Sequence, residues 1–243
     1  MEKCVMDKLP QQEIKYENKV TKWFHNYWYY YKWKVIIALF LVLVVVICTL
    51  QTCQNTKSDI TVMYAGPFLS TSLEIPNIEA ALTSVLPEDY NGDGEREVVL
   101  SMMTVYSKEQ IEEIESTTDN VIDRNNNQGE LSKFQNLIVT GEYNVCLLDP
   151  WLYDMVKKED GFAKLSDVLG YTPESAIDEC AIKLSDTEFG KYFAGVNSLP
   201  MDTILCIRTP SALNSIFSGE KSEKLDQAVA LVKAIVEFEA PKK

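Results

Sequence analysis

Hydrophobic and polar positions follow two regimes along this chain. Val35–Leu50 is an unbroken apolar run of 16 residues. At about 1.5 Å per residue it covers roughly 24 Å, less than the ~30 Å hydrocarbon core of a bilayer. Its flanks make up the difference: Trp33 and the aliphatic stem of Lys34 extend it on one side, and Gln51, Thr52 and Cys53 on the other. Before the run, Trp23, Phe24, Tyr27, Trp28, Tyr29, Tyr30 and Tyr31 crowd together, as amphipathic rings do at a headgroup layer. The pattern predicts an aromatic interfacial segment over residues 1–34, a transmembrane anchor over 35–53 and a short polar tether over 54–58.

From Asp59 the pattern becomes that of an α/β domain over residues 59–243, with strand runs between amphipathic helices. Ile60–Tyr64 reads as a strand stopped by Ala65-Gly66-Pro67, and Ile78–Leu86 as a helix ending before Pro87. Glu97–Tyr106 alternates as a second strand, and Lys108–Glu115 is a charged helix. Asp119–Asn127 is polar and Asn-rich, which suits a loop. Leu131–Thr140 reads as a helix capped by Gly141, and Tyr143–Leu148 as a strand buried on both faces of a parallel sheet. A helix over Trp151–Lys158 starts after Asp149-Pro150, because Asp caps free amides and Pro fits a first turn. Thr203–Arg208 is a further strand. Leu225–Glu237 closes the chain as a helix with Ala228, Val232 and Ile235 on its apolar face.

Charge orients the anchor. Residues 1–34 carry seven lysines against four acids, whereas residues 51–243 carry 16 basic residues against 32 acidic ones. The basic flank belongs on the cytoplasmic side, which places a single-pass chain in the cell membrane with its N-terminus inside and its acidic domain extracellular. With 34 residues before the run and no small-residue cleavage site after it, retention as a signal anchor is expected. Leu50-Gln51-Thr52-Cys53 loosely matches a lipoprotein box, so lipidation of Cys53 stays open. The negative charge of the exported part argues against nucleic acid as a partner.

The string Phe134–Asp149, with Gly141-Glu142-Tyr143-Asn144 before a buried strand, followed by Gly161-Phe162-Ala163-Lys164-Leu165-Ser166-Asp167, resembles extracytoplasmic solute-binding proteins of transport systems. Ile60–Tyr64 with Ala65-Gly66-Pro67 fits the family's first strand and ligand-facing loop. The resemblance implies a reduced, membrane-anchored, periplasmic-binding-protein-like α/β fold with a mixed sheet. Ligand contacts would then fall on Ala65, Gly66, Pro67, Asp149, Pro150 and Trp151, because open α/β sheets bind at the carboxyl ends of their strands. Two features depart from the family: a shorter domain, and Asn144 where the family has Asp.

Candidate chemistry is sparse. Asp89-Tyr90-Asn91-Gly92-Asp93-Gly94 sets oxygen ligands at alternate positions with Gly in the turn slot, as in loops that hold Ca²⁺. Asp89, Asn91, Asp93, Glu95 and Glu97 are the candidate ligands, although the twelfth position is Leu100 rather than Glu. An acidic surface turn shaped by Asp, Asn and Gly is the competing reading. The one histidine, His25, lies before the anchor, so the exported part holds no imidazole for a Ser-His-Asp site or a His-ligated zinc. Cys146 and Cys206 fall in apolar strands, where a free thiol serves as a small hydrophobe.

The expectation is a non-catalytic, membrane-anchored binding module for an unknown small ligand, in contact with the lipid bilayer. The alternative is a structural or assembly component of a membrane protein or cell-surface complex.

Overall fold

The computed structural model describes residues 19–54, 58–67, 74–209 and 220–241. The chain divides into two units, Met1–Thr56 and Lys57–Lys243. The expectations for residues 1–18, for the Cys53 side chain and for residues 55–57 of the tether lie outside the described residues.

The first unit contains one continuous helix, α1 (Lys19–Gln54). Its apolar span, Tyr27–Ile47, has 21 residues and a mean hydropathy of 2.2. At about 1.5 Å per residue the span reaches roughly 31 Å, the thickness that the 16-residue run alone falls short of. The helix gains this length by running back through the tyrosines. Tyr27 and Tyr31 stack one turn apart with ring centroids 5.0 Å apart, and the ammonium groups of Lys32 and Lys34 lie 5.9 and 5.5 Å from the rings of Tyr29 and Tyr31. Among the described residues this is the one helix long and apolar enough to cross a membrane, as a membrane anchor or a signal sequence would be.

The second unit is mixed α/β. Its strands are β1 (Ile60–Gly66), β2 (Val98–Thr104), β3 (Val145–Leu148), β4 (Ala181–Lys183) and β5 (Ile204–Ile207), in the sheet order β2-β1-β3-β5-β4. β1 pairs in parallel with β2 and β3, whereas β5 runs antiparallel to both β3 and β4. β3 is therefore buried on both faces as expected, but it is parallel to only one neighbour.

Alternation along the strands splits the core into two layers. Val62, Tyr64, Val145 and Leu147 face α2 (Glu74–Val85) and the C-terminal helix; Met63, Ala65, Cys146 and Leu148 face α4 (Arg124–Thr140) and α5 (Pro150–Lys157). The other helices are α3 (Lys108–Thr117), α6 (Leu165–Leu169), α7 (Glu188–Tyr192) and the C-terminal α8 (Glu220–Val236). In α8, Ala228, Leu231, Val232 and Ile235 are buried, so the apolar stripe that predicts this helix is the face that closes one layer.

Several elements differ from the sequence reading. β1 runs on through Ala65 and Gly66, which are expected to stop it, α2 starts at Glu74 rather than Ile78, and α6 and α7 are not expected. Two further differences have a plain physical cause. The segment expected to be a loop over Asp119–Asn127 ends in the first turn of α4, which starts at Arg124 with Asp123 accepting from the amides of Asn125 and Asn126. Those turns lie exposed, so no apolar stripe marks them. The Asn127 side chain instead holds both the N–H and the C=O of Tyr106, at 2.9 Å each. β4 is the second: three residues are too few to show a period.

Candidate functional site

The carboxyl ends of β1, β2 and β3 meet as the fold class requires. Asp149 N donates to Ala65 O at 2.9 Å and Val105 N to Gly66 O at 3.1 Å, which continues the ladders past the strand ends. The six residues expected to contact a ligand are thus brought together at one edge, in unequal positions. Ala65 is fully buried. A Cβ at Gly66 would stand 2.8 Å from the Tyr64 hydroxyl and 3.1 Å from Asp149 Cβ, so the residue is glycine because its neighbours fill that space. Pro67, Pro150 and Trp151 are half-buried at the rim.

Asp149 is buried and committed. Its Oδ1 accepts from Trp151 N and its Oδ2 from Gln110 Nε2, both at 2.9 Å. Gln110 also closes a capping box with Ser107 at the start of α3, so one carboxylate ties the end of β3 to the end of β2. Burial raises the Asp149 carboxyl above its ordinary value, and the negative charge of Asp202 adds to this. The amide of Trp151 and the side chain of Gln110 oppose both.

A second site, which the sequence reading did not find, lies at the opposite edge of the sheet, where β3 begins and β5 ends. An open cavity of about 530 Å³ lies between α4 and α5. Ile138 and Val139 of α4 and Met155 and Val156 of α5 supply its apolar lining; Glu159, Asp160 and Gly161 form part of its rim. Gln135 Nε2 donates to Met155 Sδ at 3.6 Å and links the two helices.

Arg208 lines the same cavity. Its backbone is fixed on two sides: Arg208 N donates to Asn144 O at 2.9 Å, and the next residue, Thr209, donates to Gly161 O at 2.8 Å. The side chain is only 5% exposed, and its guanidinium packs on Gly141 at the end of α4. Nε is sealed from solvent without an acceptor, and no hydrogen bond or ion pair among the described residues reaches the guanidinium. Burial holds its pKa below the usual guanidinium range. The signal in the sequence was slight: an arginine, rather than a lysine, directly after the apolar strand Ile204–Ile207.

Other chemistry-bearing groups serve the fold. The Tyr153 hydroxyl donates to both oxygens of Asp178 at 2.8 Å, Lys157 Nζ lies 2.7 Å from Asp178, and Cys180 N donates to it at 2.8 Å. This cluster pins α5 to the strand-entering loop before β4. Cys146 and Cys206 are free and buried, as expected of core thiols, and Cys180 is free and half-buried. Burial pushes the Cys146 thiol up to about 12, with Arg208 opposing, so it stays protonated and unreactive.

The acidic loop is a surface turn with Gly92 and Gly94 at positive φ. Asp89 accepts from the amides of Gly92 and Gly94 at 2.7 Å each, Asn91 from that of Asp93 and Asp93 from that of Glu95 at 2.8 Å each; Glu95 and Glu97 are exposed. Asp59, absent from the expected ligand set, anchors the turn by accepting from the amides of Tyr90, Asn91 and Glu97.

No protein-family model, curated protein or solved structure matches this chain.

Proposed function

We propose that this chain is a membrane-anchored, non-catalytic extracellular binding module, similar in plan to a reduced solute-binding protein. The observation that carries the reading is the open cavity of about 530 Å³ between α4 and α5, a size typical of small-molecule sites, with an apolar lining, one cation, Arg208, and the acids Glu159 and Asp160 at its rim. Two further features support it. The buried carboxylate Asp149 and the Asp178 cluster are occupied by hydrogen bonds that hold loops and helix ends, which suits a scaffold better than proton transfer. The lysine-rich side of the apolar helix and the acidic domain beyond it favour an inside N-terminus and an exported domain.

Two measurements test this reading. Protease added to intact cells should remove the domain after α1 and leave the N-terminal segment protected; a chain that resists protease until the cells are lysed would reverse the topology. A thermal-shift screen of the full chain in lipid nanodiscs against small metabolites should yield a saturable ligand. A screen in which nothing shifts the melting temperature would remove the binding-module reading.

A further inference from the structure

Among the described residues Arg208 is an unpartnered cation in a nearly dry position, and burying a charge without a partner is costly. The end of α4 offsets part of the cost, since the guanidinium rests on Gly141 where the helix dipole is negative. That end contributes only a partial charge, and none of its carbonyls accepts a hydrogen bond from Arg208. A guanidinium presents a planar fork of donors whose geometry matches a carboxylate. Here Arg208 lines a cavity whose apolar walls, Ile138, Val139, Met155 and Val156, come from two helices, with Gln135, Glu159, Asp160 and Thr209 as its polar lining.

We propose that this cavity binds a monoanionic amphiphile, a free carboxylic acid with an apolar tail, whose head group pairs with Arg208 and whose tail lies between α4 and α5. The inference rests on the binding-module reading and adds the chemical class of the ligand. A single charge is favoured over a phosphate dianion because Glu159 and Asp160 stand at the rim and the domain as a whole is acidic. The ligand supplies the counter-charge that the described residues leave out, and its tail covers the apolar lining.

The probe is octanoate, added to the full chain in lipid nanodiscs, with 1-octanol and octyl phosphate as arms that keep the tail and change the head. Octanoate should raise the melting temperature saturably, and the other two at equal concentration should not. R208M should weaken octanoate binding by about tenfold to a hundredfold, the value of a charge-assisted hydrogen bond. It should melt no earlier than the wild type without ligand, because it removes an unpaired buried charge. Should R208M fail to fold, V139E decides instead: Val139 is 74% exposed, so a glutamate is tolerated there, and its charge at the cavity should repel octanoate. An equal shift with octanol, or octanoate binding unchanged in R208M and V139E, overturns the proposal. If octanoate has no effect while some other compound still shifts the wild type, the ligand class is wrong and the binding-module reading stands. If nothing shifts it, both fall.

Discussion

The guanidinium of Arg208 occupies the space in which a side chain at Gly141 would begin. A Cβ built on Gly141 would collide with Nη1, Nη2 and Cζ of Arg208, and Gly141 itself adopts a left-handed conformation with φ of 70°. Two constraints therefore meet at one residue. The end of α4 requires a positive φ to turn the chain into β3, and the buried cation requires an open face on which to rest. These two residues lie 67 positions apart and are joined only because β5 runs back beside β3.

Gly141→Ala should consequently destabilise the domain by roughly 2–4 kcal/mol, combining the left-handed penalty of about 1–2 kcal/mol with overpacking against Arg208. The two contributions separate in a double-mutant cycle. In the R208M background the flexible methionine can move aside, so the cost of Gly141→Ala should fall toward the conformational part alone. Equal costs in both backgrounds, measured by denaturant unfolding, would mean that Arg208 does not press on this glycine.

The Asp178 cluster gives the domain a defined acid response. Burial pushes the Asp178 carboxyl up, but Lys157, the Cys180 amide and the Tyr153 hydroxyl together hold it below its ordinary value. Because the folded value is the lower one, the stability it contributes is complete above the unfolded value of about 3.9 and is lost as pH falls through the folded value. Asp149 has the opposite sign: its raised value makes its contribution complete in acid and lost as pH rises through the folded value. D178N should therefore flatten the wild-type loss of stability below about pH 4 and expose the opposing slope of Asp149. Y153F, which removes one hydroxyl from the cluster, should cost about 1–2 kcal/mol at neutral pH. An acid limb identical in D178N and wild type, followed by melting across pH, would show that the cluster does not govern it.

What could be read in advance follows from how local each signal is. β1, β3 and α5 are legible because an apolar run, or an Asp-Pro start, is written in consecutive residues. The Asp149 cap on α5 appears where the sequence places it. The start of α4 is not legible, since 124–130 is polar and mostly exposed and is held partly through Asn127 by a strand end 21 residues away. The rule that open α/β sheets bind ligands at the carboxyl ends of their strands points to one edge of this sheet. Gly66 and Asp149 do stand together at that edge, but the space beside Gly66 is filled by Asp149 and by Tyr64. The Arg208 cavity depends on the return of β5, on Gly141 and on two helices distant in sequence, a conjunction that no local pattern encodes. The role of Asp59 is illegible for the same reason, because its three amide donors lie 31 to 38 residues away.

Asp59 sets the last prediction, which concerns the acidic loop. The turn from Tyr90 to Glu97 is held to the start of β1 by the three amides that Asp59 accepts, at 2.6 to 2.8 Å. Within the turn, Asp89 accepts two amides and Asp93 one. Melting temperature should therefore fall most for Asp59→Ala, at a cost of roughly 2–4 kcal/mol for a charged acceptor serving several amides, less for Asp89→Ala and least for Asp93→Ala. Amide acceptance uses Oδ1 of Asp93 and leaves Oδ2 available, so the Ca²⁺ reading remains open to the same assay. On that reading millimolar Ca²⁺ raises the wild-type melting temperature above its value in EDTA, and Asp93→Ala removes the rise while scarcely moving the EDTA value. Identical wild-type melts in Ca²⁺ and EDTA, together with the order Asp59, Asp89, Asp93, would assign the loop's acids to shaping a turn.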